Sequence, residues 1–145
     1  MIHIREGSLQ ECVDLSFKIP EFNSPYKIEE YKKRCAGKYL ALIAEIDNQP
    51  VGFKIGYDRF KNGSFYSWMG GVLPKFRRMG VAYSLANFQE KWADENGFRS
   101  IILKTRQKHD EMIAFSLNRG FIITEETQII PAEETRIWMG KSLNC

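Results

Sequence analysis

The segment that most constrains this chain joins a strand to a helix but lacks the residues that usually begin a helix. It reads Val-Leu-Pro-Lys-Phe-Arg-Arg-Met-Gly-Val-Ala over residues 72–82. A helix usually begins at Ser, Thr, Asp or Asn and favours acidic residues in its first turn. Here Lys75, Arg77 and Arg78 instead add positive charge at the positive end of the helix dipole. Because the first backbone N–H groups have no side-chain acceptor and small residues leave room beside them, the segment predicts an anion site, most naturally for a phosphate or pyrophosphate.

Two common phosphate-binding loops do not fit this segment. It lacks the Gly-Lys-Ser/Thr of a P-loop and the Gly-x-Gly-x-x-Gly spacing of a dinucleotide-binding turn. The same residues would also suit an ordinary surface, with Arg77 and Arg78 in solvent and Gly80 in packing. The elements on either side are therefore needed to choose between an anion site and a plain surface loop.

Hydrophobic periodicity and helix-end signals predict a chain that changes from strands and turns to alternating strands and helices. The predicted elements are a strand at 2–5, a helix opened by the capping box Ser8–Glu11, a helix at 25–36 capped by Ser24, strands at 39–46, 51–57 and 64–72, a helix at 81–96, a strand at 100–105, a helix at 110–119, and strands at 121–127 and 135–139. A turn is predicted at residues 47–50. This order predicts an α/β fold of the mixed (α+β) kind, in which helices pack on a mixed sheet.

The composition indicates a folded and independently stable chain. Its 145 residues, 43% hydrophobic and 13% aromatic, suit one domain spanning residues 1–145 and exclude a disordered protein. The net charge of +3 is small for a dedicated nucleic-acid binder, so no nucleic-acid partner is expected.

Cysteine and histidine usage bears on metals and on the cellular compartment. Cys12, Cys35 and Cys145 are odd in number and form no close pair, which favours a reducing compartment over a disulfide framework. With only His3 and His109 besides, no zinc pattern can be assembled, so no metal is expected. The chain shows neither a signal peptide nor an apolar stretch long enough to span a bilayer. We therefore expect a cytoplasmic protein with no membrane partner.

Residues 77–82, Arg-Arg-Met-Gly-Val-Ala, resemble the acyl-CoA signature of the GCN5-related N-acetyltransferase (GNAT) superfamily, whose core is Gln/Arg-x-x-Gly-x-Gly/Ala. Val72-x-Pro74 precedes the signature at the usual spacing, and Gly120-Phe121 is similar to the family's closing Gly-Phe. The resemblance spans Gly71–Phe121, about a third of the chain, and the element order outside it agrees. It implies an acyl-CoA N-acyltransferase-like fold, with a mostly antiparallel sheet split around the cofactor.

The resemblance implies that acetyl-CoA is the acyl-donor cosubstrate. Backbone N–H groups of residues 78–83 would cradle its pyrophosphate, and the strand end at residues 70–72 would pair with the pantetheine arm, where a bulge or close contact favours glycine. The cofactor-binding residues so implied are Gly70, Gly71, Val72, Arg77, Arg78, Met79, Gly80, Val81, Ala82, Tyr83 and His109. His109 stands where many relatives have an Asn, and it keeps a hydrogen-bond donor there.

Two catalytic positions of the family hold different residues in this chain. Where histone-type relatives have a Glu base, this chain has Tyr66, which also suits pocket lining. Where many relatives have a Tyr that protonates the leaving thiolate, it has Ser116. The candidate catalytic residues are thus Tyr66 and Ser116, and we expect catalysis to depend on binding, orientation and polarisation of the thioester, with water carrying protons.

The function predicted is acetyl-CoA-dependent N-acetyl transfer, by direct attack of a primary amine on the thioester. The alternative is a CoA-binding sensor or regulatory module that has lost the chemistry. The acceptor is predicted to be a small-molecule or peptide amine, and the sequence leaves open whether the chain forms a homodimer. The acidic residues Glu125, Glu126, Glu133 and Glu134 would either draw a cationic amine or form a solvated face.

Overall fold

The computed structural model describes residues 1–143, which form seven strands and four α-helices. The elements in chain order are β1 (Ile2–Glu6), α1 (Leu9–Ser16), α2 (Ile28–Arg34), β2 (Tyr39–Ile46), β3 (Gln49–Tyr57), β4 (Ser64–Val72), α3 (Val81–Glu95), β5 (Ser100–Arg106), α4 (Asp110–Asn118), β6 (Ile122–Thr127) and β7 (Arg136–Ser142). Short 3₁₀ turns lie at Pro74–Phe76 and Ala132–Glu134. The element order is the predicted one.

All seven strands form one sheet in the order β1-β2-β3-β4-β5-β7-β6. Every neighbouring pair is antiparallel except β4 and β5, which run parallel. The parallel pairing begins at Ser64 opposite Ser100 and ends at Tyr66 opposite Ile102. Beyond that point the two strands separate, so the sheet is split between β4 and β5. The predicted mixed, mostly antiparallel and split sheet is confirmed.

Helices cover the two faces of the sheet and create two apolar cores. On one face α3 packs over Leu40, Leu42 and other residues of one cluster. On the other face α1 and α2 pack over Ala41, Ile43 and the rest of a second cluster. Because β2 is buried on both faces, it is an almost continuous apolar run rather than an alternating one.

Sequence signals at helix and turn ends are confirmed in part. The capping box is present, since the Glu11 N–H donates to the Ser8 hydroxyl over 3.1 Å and the Ser8 N–H donates to the Glu11 carboxylate over 2.8 Å. The turn after β2 is shorter than predicted, because Asp47 and Asn48, with φ of 50° and 66°, complete it by themselves. Gln49 and the following proline already belong to β3.

The predicted start of the second helix is wrong. Helix α2 begins at Ile28, and neither Ser24 nor any other side chain caps it, since Lys27 holds the N-cap position. The reason is tertiary, because the Tyr26 ring packs against Trp68 with ring centroids 5.6 Å apart. That contact holds the chain extended up to Lys27, although Ser24 followed by Pro25 is a typical helix start.

Candidate active site

The N-terminus of α3 is uncapped, as the sequence predicts. Gly80 holds the N-cap position, no side chain accepts a hydrogen bond from the first turn, and that turn contains no acidic residue. Within residues 1–143, the backbone N–H groups of residues 78–83 donate no hydrogen bond. Exposed N–H donors at the positive end of a fifteen-residue helix form an anion-binding geometry.

Gly80 is required by its backbone conformation. Its φ of +88° lies in the left-handed region, which an L-residue enters at a cost of about 1–2 kcal/mol. The space beside it is open, since an added Cβ would meet only Ile2 Cδ1, at 3.8 Å. A larger side chain at position 80 would therefore extend into solvent directly in front of the free N–H groups.

Arg77 is held by the loop between α1 and α2. Its guanidinium donates to both carboxylate oxygens of Glu21, over 2.6 and 2.8 Å, and to the Val72 carbonyl over 3.0 Å. This pairing holds the pKa of Glu21 below its usual range. Among the residues that the structure describes, Lys75 and Arg78 form no ion pair. The positive charge available at the α3 N-terminus thus comes from the helix and these two side chains, while Arg77 anchors the loop.

The loop between α1 and α2 also explains why one of the two glycines near the end of β4 has no side chain. A Cβ on Gly71 would lie 2.9 Å from Ile19 Cδ1 and 3.2 Å from the Phe22 ring, so the loop packs directly on this backbone. The bulge in β4 falls at Trp68 rather than at the glycine pair, since Ile55 pairs with Met69 and Gly56 with Ser67. Of the two features that favour glycine here, a bulge or a close backbone contact, the structure therefore shows the close contact at Gly71.

The split leaves one edge of β4 unpaired beside the α3 N-terminus. Residues 67–72 pair with β3 on one side, and in the part of the chain described here they pair with no strand on the β5 side. Gly70 and Val72, which the sequence suggested for the pantetheine arm, lie on this open edge. An extended ligand placed in the split could add main-chain hydrogen bonds to it as another strand does.

A narrow cavity occupies the split on the face covered by α3 and α4. Its lining includes Lys54, Ser67, Gln89, Leu103 and Ser116. Gln89 and Ser116 are each only 2% exposed. The Gln89 Nε2 has no hydrogen-bond partner among residues 1–143. Because a buried amide without a partner is costly, this donor needs an acceptor from outside the described residues, and the cavity, of about 10 Å³, has room for roughly one water molecule.

Lys54 is the functional candidate that sequence analysis missed. It lies on β3 opposite Gly70, and its side chain passes over that glycine into the cavity that Ser116 also lines. In the described chain no carboxylate forms an ion pair with it, and burial, with a smaller contribution from Arg119, lowers its pKa to about 8. A signal was present in the sequence, because a lysine interrupts the otherwise apolar run of β3.

Tyr66 lies on the opposite face of the split, in a wall of aromatic rings. It is 3% exposed, and its ring lies 5.6 Å from that of Tyr57 and 6.0 Å from that of Trp138, centroid to centroid. Burial raises the pKa of its phenol, an effect that nearby Arg59 partly offsets. A raised pKa makes phenolate scarce at neutral pH, so this environment suits Tyr66 to lining the pocket better than to accepting a proton.

His109 immediately precedes α4 and lines a second cavity, of about 190 Å³, at the end of β5. The other lining residues are Lys104, Thr105, Arg106 and Arg136. His109 occupies the N-cap position of α4 without a side-chain capping bond, so its imidazole is available for other contacts. The structure therefore places His109 among cations at the carboxyl end of β5, which runs parallel to β4 across the split. It also lies near enough to Glu21, the partner of Arg77, to contribute to the lowered pKa of that carboxyl.

The described residues contain no group of three or more His, Cys, Asp or Glu side chains arranged to hold a metal ion. They also contain no helix long and apolar enough to cross a membrane.

The sequence model of the acetyltransferase (GNAT) family matches residues 9–121, more than three quarters of the chain. This chain belongs to the GNAT family. The match includes the uncapped α3 N-terminus, both strands that border the split and the cavity between α3 and α4. Three solved structures of similar fold extend the comparison beyond the matched residues.

The three structures share the fold at low sequence identity. The ribosomal-protein-S18-alanine N-acetyltransferase from Escherichia coli superimposes with a TM-score of 0.86 at 15% identity, covering 100% of this chain and 96% of that one. An aminoglycoside 6'-N-acetyltransferase complexed with coenzyme A gives 0.80 at 18% identity, covering 99% and 98%. A structure from Salmonella typhimurium, described as an acetyltransferase with its cofactor acetyl-CoA, gives 0.78 at 14% identity, covering 99% and 94%.

Proposed function

We propose that this GNAT protein transfers the acetyl group of acetyl-CoA to a primary amine by direct attack on the thioester. The new C–N bond forms as the C–S bond breaks, the amine loses one proton, and the CoA thiolate gains one. The observation that carries the proposal is the uncapped α3 N-terminus beside an unpaired strand edge in a chain of this family. Relatives of the same fold are solved with acetyl-CoA or CoA, which supports the choice of cosubstrate.

The residues present fit acetyl-CoA at both ends. The free N–H groups of residues 78–83 suit a pyrophosphate, and Lys75 and Arg78 add charge without an acidic partner among the described residues. The open edge at residues 70–72 suits the amide groups of pantetheine. When bound, acetyl-CoA supplies an activated acyl group.

Direct attack is favoured over an acyl-enzyme because the described cysteines are unsuited to it. Cys12 and Cys35 are buried on the α1 and α2 face, and burial raises their thiol pKa values to about 12 and about 11. A thiol with so high a pKa is a poor nucleophile at neutral pH. Cys145 lies outside the described residues.

Lys54 is the group best placed to help the thiolate leave. It shares the cavity of Ser116, the position where many relatives carry a tyrosine acid, and Gly70 lies beneath its stem. We propose that its ammonium stabilises the departing thiolate and donates the proton to it. A donor with a pKa of about 8 is well matched to this step near neutral pH.

The pKa of the acceptor amine is expected to control the rate at low pH. A lysine-type amine with a pKa near 10.4 is about 4.6 kcal/mol short of its neutral form at pH 7, whereas an α-amine with a pKa near 7.8 is about 1.1 kcal/mol short. No carboxylate base is available on β4, so amines of lower pKa should react faster at neutral pH. For a series of amines with pKa values below about 8, the ascending limb of kcat/KM against pH should follow the pKa of each amine. An ascending limb fixed near pH 6–7 for every amine would show an enzyme base instead.

Tyr66 and Ser116 are expected to contribute little to the chemical step. Tyr66→Phe and Ser116→Ala should each lower kcat by less than about tenfold, that is, less than about 1.4 kcal/mol, because neither group is required to move a proton. Steady-state kinetics with saturating acetyl-CoA measures this. A loss of several hundredfold in Tyr66→Phe with acetyl-CoA affinity unchanged would place that phenol in the proton path.

The second candidate function is a CoA-binding sensor or regulatory module. It is favoured by the two positions where Tyr66 and Ser116 stand in place of the family's base and acid. A panel of amines assayed for free CoA release separates the two functions. A transferase releases CoA in steady state with at least one amine, whereas a sensor binds acetyl-CoA and releases CoA with none.

A further inference from the structure

We propose that the amine acceptor also carries a carboxylate, which binds a cluster of cations at the mouth of the split. The inference rests on the proposed acetyl transfer and narrows its substrate class. The cluster, called the cation cluster below, consists of Arg34, Arg59, Lys104, Arg106 and Arg136. It lies on the α1 and α2 face of the sheet, across the split from the cavity between α3 and α4.

The cations are held against the aromatic wall that contains Tyr66. The Arg59 guanidinium lies 4.9 Å from the Tyr66 ring centroid and 5.9 Å from that of Trp138. The Lys104 Nζ lies 5.6 Å from the Trp138 centroid. Further along the same group of rings, the Arg34 guanidinium lies 4.7 Å from the Trp68 centroid. These contacts fix the positions of the positive charges while leaving the outward sides of the groups free.

The positive charge of the cation cluster is only partly balanced within the protein. Arg34 pairs with Glu30 over 2.8 Å, and Arg106 approaches Glu134 at 3.7 Å. Within residues 1–143, Arg59, Lys104 and Arg136 form no ion pair.

Repulsion from the neighbouring cations acts together with burial on the pKa of Lys104. Burial lowers its pKa, and Arg59, Arg136, Arg106 and Arg34 each lower it further. A group of like charges gathered on a concave surface raises the potential there and attracts a counter-charge. An anionic ligand would relieve this repulsion directly.

The position of the cation cluster identifies its ligand as the acceptor. Tyr66 and Ile102 are the last paired residues before the split, and Lys104 follows two residues later on the same face of β5. The free N–H groups proposed to bind acetyl-CoA are at the start of α3, and the narrow cavity lies between α3 and α4. Both therefore lie on the α3 and α4 face of the sheet. An amine must approach the thioester from the side that the donor leaves free, and that side carries the cation cluster.

The charge of this surface disfavours polycationic acceptors, and the acidic residues match the solvated face, one of the two roles left open for them. Glu134 already binds Lys108 over 2.7 Å and lies near Arg106, so it is not free to draw an amine. Glu125 and Glu126 are exposed on β6, and Glu133 is exposed in the turn before β7, as a solvated face requires. The aromatic wall and the cations together suit an amine with a flat or apolar body and a carboxylate.

Two matched product analogues test the proposal without any influence of amine pKa. N-acetylphenylalanine and N-acetylphenylalaninamide differ only in the carboxylate, which is charged in the first and absent from the second. We expect the acid to bind the CoA-loaded protein at least about tenfold more tightly than the amide in calorimetry. Equal binding, or tighter binding of the amide, would overturn the proposal.

Substitutions in the cation cluster test whether it causes the preference for the acid over the amide. Arg59→Gln and Lys104→Gln should each remove most of the preference for the acid, whereas Lys91→Gln, an exposed lysine on α3, should leave it unchanged. A preference that survives both variants, or an oligonucleotide that binds more tightly than the acid and displaces it, would contradict the assignment. Because the experiment measures binding, its result does not depend on whether the protein catalyses acetyl transfer. Absence of CoA release with every amine would instead refute the proposed transferase.

Discussion

Replacing Gly80 with glutamate is expected to abolish the increase in melting temperature that acetyl-CoA gives the wild-type protein. The ligand stabilises the fold because it binds only the native state. The new side chain would extend from the open space beside Gly80 across the free N–H groups of residues 78–83 and place a carboxylate where the pyrophosphate binds. We expect an affinity loss of at least about a hundredfold, measured by thermal shift and calorimetry.

Gly97→Glu provides a matched control for the backbone strain in this experiment. Gly97 follows α3 with a φ of +87°, close to the +88° of Gly80, and an added Cβ there meets nothing within 4 Å. Both variants should therefore lose a similar amount of stability, on the order of 1–2 kcal/mol. Only Gly80→Glu should lose the acetyl-CoA shift. A full shift in Gly80→Glu would show that the α3 N-terminus does not bind the donor.

Replacing Lys54 with methionine is expected to lower kcat about a hundredfold, the usual contribution of a positioned acid. Methionine fills a similar space without charge, and a partly buried ammonium with no ion pair among the described residues contributes little to stability. The variant should therefore fold, bind acetyl-CoA with nearly unchanged affinity and lose rate in the transfer step. Single-turnover kinetics with a preloaded donor measures that step separately from binding.

The pH profile distinguishes proton donation by Lys54 from a structural role. The ammonium form is the active one, so with an acceptor amine whose pKa is below about 8 the wild-type rate should fall as the pH rises through about 8, the pKa of Lys54. That descending limb should disappear in Lys54→Met, and Lys91→Met on the exposed face of α3 should retain it. An unchanged descending limb in Lys54→Met, or a rate loss below about threefold, would remove this lysine from the proton path.

Most elements were predictable from sequence because their signals are local. Strand β4 has the predicted bounds Ser64–Val72, set by the Asn62-Gly63 turn before it and the basic segment after it. Helix α3 ends as predicted, with Gly97 in the left-handed conformation that follows a helix. The uncapped start of α3 was predictable for the same reason, since a missing cap is visible in the residues themselves.

The remaining features depend on contacts between distant segments. The Tyr26–Trp68 contact delays the start of α2, and the pairing of β3 with β4 puts the bulge at Trp68. Sequence gives no register, so it could not bring Lys54 over Gly70 or gather the cation cluster from α2, the β3–β4 loop, β5 and β7. It also predicted Arg77 as a cofactor ligand without its partner Glu21, which is 56 residues away.

A single-turnover reaction analysed by mass spectrometry tests the proposed function most directly. Enzyme loaded with one equivalent of acetyl-CoA is mixed with a carboxylate-bearing α-amine, and free CoA, acetylated amine and the protein itself are measured together over time. Direct transfer predicts one acetylated amine for each CoA released, with no acetylated protein at any time. Binding of acetyl-CoA with no acetylated amine from any amine of the panel, or an acetylated protein that forms before the product, would contradict it.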